Sequence, residues 1–202
     1  MSHVQNTHHQ YNLPLPQKRI AYRANREGVA EQFTDVSARK SIEIDLELTG
    51  HYDDILRELE LYLTRKAKVH DQDAFFRLRS VPGIGKVLAM TILYEIHDIG
   101  RFERVQEFAS YSRLVKCKIS SGGKKYGTSG AKIGNVHLKW AFSEAAVLFL
   151  RGNPQAQKYL KRIENKHGKR KALSILAHRL GRTVYYMLKK KRTFSMETFL
   201  TA

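Results

Sequence analysis

The chain has 202 residues, 42% of them hydrophobic, which supports one or two folded domains and excludes a disordered tail. Its single cysteine, Cys117, excludes an internal disulfide, the polar start Met1-Ser2-His3-Val4-Gln5 has no signal-peptide character, and the longest apolar run, residues 145–150, is far below the about 18 residues of a membrane span, so the expected location is cytoplasmic with no membrane partner. The net charge of +17 is concentrated: residues 1–110 carry 15 Lys/Arg against 16 Asp/Glu and residues 111–202 carry 21 against 3, so the second half must face salt water or meet a polyanion, of which nucleic acid is the foremost.

In chain order, the stretch to about Asp35 is polar, with Pro14 and Pro16, and reads as an extended lead-in passing into a short helix from Gln17 to Gln32. His3, His8, His9 and His51 are scattered rather than paired at ligand spacing, so they are expected as solvated loop residues and no metal is assigned. From Arg39 to about Lys68, the residues Leu48, Tyr52, Ile55, Leu59 and Tyr62 recur at steps of four, three, four and three, the coiled-coil step. Two heptads with Gly50 inside the pattern fit two arrangements equally, a coiled-coil contact between chains and an amphipathic helix packed on its own domain. Residues 1–70 are expected as a helical linker region and residues 71–202 as a compact helical domain, an all-α architecture.

The segment Asp73–Arg79 reads as a short helix, Val81-Pro82-Gly83-Ile84-Gly85 as a tight turn, and Lys86–Ile96 as a second helix, a helix-hairpin-helix signature. Glycines permit backbone angles that other residues resist, and the amides opening the second helix can meet a phosphate oxygen. The same turn serves equally as a DNA-backbone contact, through Gly83, Gly85 and Lys86, and as a purely structural hairpin. Further helices are expected over 101–114 and 135–150. Pro154 suits the first position of the next helix and Gly168 its end, and the last long helix, 169–190, lines Leu173, Leu176, Leu180, Val184 and Met187 on one stripe with Arg170, Arg179 and Arg182 off it. The closing run Lys189-Lys190-Lys191-Arg192 reads as a phosphate clamp or as solvated charge favouring the helix dipole.

Between these helices, residues 117–132 form a stretch rich in glycine, serine and lysine, expected as a loop. Such a loop can bring amides and the ammonium groups of Lys124, Lys125 and Lys132 close to phosphate. It lacks the Gly-x-x-x-x-Gly-Lys-Ser/Thr spacing, which excludes a Walker-type triphosphatase. Serine hydroxyls need a base or a strong field to attack, and the lysines can stabilise charge on a pentavalent phosphorus, but on its own the loop also fits a basic binding role. Lys139, just beyond, completes the candidate nucleic-acid contacts.

Several spaced motifs, in order, carry a resemblance. Val81-Pro-Gly-Ile-Gly-Lys86, Phe108-Ala-Ser-Tyr-Ser-Arg-Leu114, Ser121-Gly122, Lys132-Ile-Gly-Asn135, Leu138-Lys-Trp-Ala141 and Ala172-Leu-Ser-Ile-Leu-Ala-His-Arg-Leu180 resemble the bacterial insertion-sequence transposases of the IS-one-ten / IS-eleven-eleven group. The resemblance implies DNA transposition by a two-part enzyme, with an N-terminal ribonuclease-H-like domain whose four acids hold magnesium and a C-terminal helical domain bearing a serine nucleophile. It implies DNA and a structured guide RNA as partners, a homo-oligomer, and a place at the bacterial nucleoid. By position the catalytic serine is Ser121, with Ser120 as the alternative one register away. This chain looks like the second part with its helical linker: the acids of residues 35–60 fall at helical surface spacing among cations, so magnesium belongs to a domain outside it and no cofactor is expected here.

Overall fold

In the computed structural model, the backbone is described for residues 2–115, 117–121, 124–129 and 133–201, and the side chains of these except at 68, 69, 117–121, 124–129 and 170. The chain divides into two compact units, Met1–Tyr62 and Leu63–Ala202, with the division falling inside one long helix.

The polar start is helical, not extended. α1, Ser2–Gln10, forms because it has something to bury: Val4 and His8 go into a small core with Ile20, Val29, Phe33, Ala38 and Ile42. The helix expected over 17–32 is absent. Two short 3₁₀ turns, Arg23–Asn25 and Ala30–Gln32, stand there instead, separated by Gly28 at a φ of +76°, a left-handed conformation that ends any helix running through it. His8 corrects a second expectation, since it is fully buried rather than solvated. Its Nδ1 donates to the Val4 carbonyl at 2.8 Å, Nε2 faces the Gln32 side-chain amide at 3.3 Å, and the ring packs edge-on against Phe33 at 4.7 Å. Arg26 stitches the same unit together, donating to the Ile20 carbonyl at 3.0 Å and to Asp53 at 2.6 Å.

α2 spans Val36–Arg79 and is broken at Asp71, whose φ of −155° and ψ of 88° are not helical. The carboxylate of Asp71 accepts from the Ala74 amide at 2.8 Å, so it caps the restarted helix as an N-cap aspartate does. The expected coiled-coil seam lies on the first part of α2, and Leu48, Tyr52, Ile55 and Leu59 are 50, 61, 45 and 50% exposed. Intramolecular packing therefore leaves the seam largely uncovered.

The second unit is an α-helical assembly with one small hairpin. α3, Lys86–Ile96, α4, Val105–Tyr111, and α5, Val136–Phe149, are followed by α6, Pro154–His167, α7, Lys169–Lys189, and α8, Met196–Thr201. α5 packs against both α3 and α7, while α4 and α6 pack on α7. Leu138, Ala141, Phe142, Ala145 and Phe149 of α5 are wholly buried, as are Leu176, Leu180 and Val184 of α7. Burying each large apolar side chain of this kind contributes about 1.5–3 kcal/mol. Gly181 lets α7 close up, since a Cβ there would stand 2.3 Å from Leu114 Cδ1. Local signals set the helix ends: Asn135 and Asn153 accept from the Leu138 and Ala156 amides, and Pro154 occupies the first turn of α6.

The segment expected as a loop over 117–132 contains strands. β1, Cys117–Ser121, pairs antiparallel with β2, Lys124–Ser129, setting Ser121 opposite Lys124 and Ser120 opposite Lys125, with a register shift between Lys118 and Ser120. Backbone pairing across so short a span satisfies the amides and carbonyls that a loop would leave to water. Apart from this hairpin, regular structure among the described residues is helical, so the all-α expectation holds for the body of the fold. No described helix is long and apolar enough to cross a membrane.

Candidate nucleic-acid interface

The turn between α2 and α3 gives its two glycines different tasks. Val81 and Ile84 are buried and the Ile84 amide donates to the Val81 carbonyl at 3.0 Å, closing the turn. Gly83 has a φ of +85°, and a Cβ there would lie 2.5 Å from Phe149 N and 2.7 Å from Leu148 C, so the turn rests directly on the backbone at the end of α5. Gly85 is extended, at φ −78° and ψ −173°, with no atom within 4 Å of the space a Cβ would fill. It is the N-cap of α3 and offers no side-chain acceptor, so no side chain caps the first amides of α3, beside the exposed Lys86. Such amides, with the helix dipole behind them, suit an anion.

The return from the hairpin is clamped by a polar cluster. The Asn135 amide nitrogen Nδ2 donates to Glu95 at 2.5 Å and to the Tyr111 hydroxyl at 3.4 Å, while its backbone N donates to the Tyr111 carbonyl at 2.6 Å. Arg113 Nε donates to the Gly134 carbonyl at 2.8 Å, and Gly134, at φ +89°, leaves no room for a Cβ, which would meet Tyr111 O at 2.6 Å. Arg101 lies 4.6 Å from the Tyr111 ring centre. The hydrogen bond from Asn135, and then Arg101, hold the Tyr111 phenol below its usual range. This cluster fixes where the chain re-enters the helical body at α5, next to the segment bearing the candidate serines.

Of the candidates, Ser120 and Ser121 occupy the end of β1, and Lys124 and Lys125 the start of β2; their side chains lie outside the described residues, as does Lys132 altogether. Arg170 sits in the first turn of α7 with its side chain likewise outside. Lys139 is exposed on α5, and Arg182 is half-buried on α7. Arg179 turns inward: its guanidinium donates through Nε, at 2.9 Å, and Nη2 to the Phe199 carbonyl, and lies 4.9 Å from the Tyr159 ring centre. Its charge is engaged in holding α8 to α7. Lys189 similarly donates to the Phe102 carbonyl at 3.0 Å.

Sequence reasoning passed over the most continuous cationic surface. On α6, Ala156, Tyr159 and Ile163 are buried, and Lys158, Lys161, Arg162 and Lys166 are exposed on the other side. The signal was present, since cations at steps of three, one and four opposite an apolar stripe form one face. Across residues 136–201 the acids are Glu144, Glu164 and Glu197, and no ion pair forms among the described residues of that range. The ion pairs among the described residues all lie at or before Glu107, in the half of the chain whose charges balance. The described part of the second half therefore carries a positive potential that its own carboxylates do not compensate. Among the described residues no group of three or more His, Cys, Asp or Glu side chains converges so as to hold a metal ion, and no step through magnesium is assigned to them.

Residues 76–161, from the end of α2 into α6, match the family described as Transposase IS116/IS110/IS902 family. The chain is also 27% identical over 146 residues to the transposase for insertion sequence element IS1111A of Coxiella burnetii (strain RSA 493 / Nine Mile phase I). That similarity covers 70% of this chain and 40% of the relative, so the chain spans well under half the length of the curated relative it matches.

Proposed function

We propose, on the match of residues 76–161 to the IS116/IS110/IS902 transposase family, that this chain is the nucleic-acid-holding, serine-bearing part of a DNA transposase. The observation that carries the reading is the unpaired cationic face of α6, together with a second half in which 21 Lys/Arg face 3 acids. Phosphates neutralise such a face and release counterions as they do so. α6, the first turn of α3 with Lys86, and Lys139 hold the phosphate backbone of DNA, and of a structured RNA that selects the site. Chemistry belongs to Ser121. Its Oγ attacks a DNA phosphodiester, forming a P–Oγ bond as the bond to one sugar oxygen breaks and that oxygen leaves with a proton. A sugar hydroxyl of a second strand then attacks the same phosphorus and frees the serine, so no phosphodiester is lost. The exposed seam of α2 joins copies of the chain.

A salt titration of duplex DNA binding by the chain tests the binding core. Log affinity falls linearly with log salt, and replacing Lys158, Lys161, Arg162 and Lys166 by Gln reduces the slope by about 0.9 per phosphate contact removed. An unchanged slope in the fourfold variant, with the fold intact, removes α6 from the interface. A second reading, a binding module without chemistry, predicts the same salt slope and no serine–DNA adduct.

A further inference from the structure

Four described residues other than glycine have positive φ, and two of them, His97 at φ 58° and Lys191 at φ 52°, line one cavity of about 170 Å³ in the second unit. His97, with ψ at −73°, closes α3 in a region that residues with a β-carbon enter at a cost, and such outliers gather at ligand sites. What the strain achieves is visible in the ring. His97 stacks on His70 at 5.5 Å and 17°, and His70 also stacks with Tyr94, at 6.0 Å and 27°. All three side chains are exposed, and His97 lines the cavity.

The cavity floor is apolar, with Leu93, Ile96 and Leu188, and its rim carries Arg77 and Lys191. Two acids also line it, held in place by amides at helix starts: Asp71 accepts from Ala74 N at 2.8 Å and Asp98 from Gly100 N at 2.7 Å. Arg77 is shared with Asp73 at 2.8 Å, which leaves Lys191 as the rim cation outside any ion pair among the described residues. A flat ring ladder, an apolar recess too small for anything larger than one planar group, and a cation at the edge form a set suited to an unpaired nucleotide. We propose that this cavity takes one base out of a single strand, stacked on His97, with its phosphate at Lys191. Base stacking on side-chain rings is indifferent to sequence, because every base has a π-face. The inference rests on the nucleic-acid reading above and goes beyond it, since Lys86 and the cations of α6 are contacts for a phosphate backbone and none of them is in the ladder.

The test uses the whole chain and a short single-stranded oligonucleotide carrying one 2-aminopurine, with a duplex of the same sequence beside it. The wild type quenches the 2-aminopurine on binding the single strand. His97→Ala loses the quench and binds the single strand about tenfold more weakly, with duplex affinity unchanged. His97→Phe keeps both quench and affinity, because a ring remains. His97→Gly separates function from packing: glycine accepts this backbone without strain, so thermal stability is kept or raised while the quench is lost. Lys191→Gln weakens single-strand binding and leaves the quench amplitude at saturation intact. Quenching by His97→Ala equal to the wild type overturns the inference, as does an equal loss of single-strand and duplex binding in that variant. If the wild type binds duplex DNA but never quenches, the stacking site fails and the basic interface stands; if it binds neither, both fail.

Discussion

Replacing Gly83 by alanine tests whether the turn before α3 is held by packing. Two costs add at this position. An L side chain at φ +85° costs about 1–2 kcal/mol relative to glycine. The new Cβ also meets Phe149 N at 2.5 Å and Leu148 C at 2.7 Å, and these are backbone atoms near the end of α5 that have no rotamer to escape into. Overpacking of that kind costs about 1–3 kcal/mol. The sum, about 2–5 kcal/mol, lowers the melting temperature by about 5–15 °C for a chain of this size. Gly85→Ala is the control two residues on. Its φ is −78° and its Cβ meets nothing within 4 Å, so alanine costs no more than about 1 kcal/mol, the amount by which it caps a helix less well than glycine, offset in part through the unfolded chain. Circular dichroism melts with urea titrations read both variants. A Gly83→Ala protein that melts within about 2 °C of the wild type refutes the argument that α5 seats the turn. DNA binding divides the two positions the other way: Gly85→Ala, whose methyl stands before the first amides of α3, weakens duplex binding with little loss of stability.

Charged residues at Ile55 and Leu59, 45 and 50% exposed on α2, shift sedimentation toward monomer with helicity retained; unchanged sedimentation shows that the seam joins no second copy. In an assay that scores covalent protein–DNA adducts, the proposed nucleophile predicts that Ser121→Ala forms none while DNA binding persists and that Ser120→Ala still forms them; adducts formed at full rate by Ser121→Ala exclude that residue from the chemistry. Burial, and then the neighbouring Arg182, hold the His178 imidazole below its usual range. A lowered histidine leaves the unfolded state binding more protons, so this contribution is present above the ordinary imidazole range and is lost as the pH falls through it. His178→Gln accordingly flattens the decline of melting temperature between about pH 7 and pH 5, and an identical decline in both proteins contradicts the assignment.

Much of the helical body is legible residue by residue. α3 lies where the apolar period over Lys86–Ile96 places it, and Asn135, Pro154 and Gly168 mark ends that the helices respect, because capping and backbone angle act within one turn of chain. The basic second half is equally a property of composition. The hairpin was half legible: Gly122-Gly123 lies between short segments containing Ile119 and Tyr126, a hairpin pattern, but the abundance of serine and lysine suggests a loop.

Contacts between distant residues decided the rest. His8 is buried because Phe33 lies beside it in the folded first unit, and nothing near residue 8 in the chain announces that neighbour. Gly83 is required by the backbone at Phe149, and Arg179 is drawn inward by the Phe199 carbonyl while the lysines of α6, equal to it in charge, stay outside. His70 meets His97 only because the break at Asp71 and the end of α3 come together. Periodicity and caps are local energies that short stretches of sequence encode, so the sequence by itself determined where helices run and where the charge accumulates. Which side chain is left free for a ligand depends on which distant backbone or ring has already claimed its neighbours, and that is settled when the chain packs.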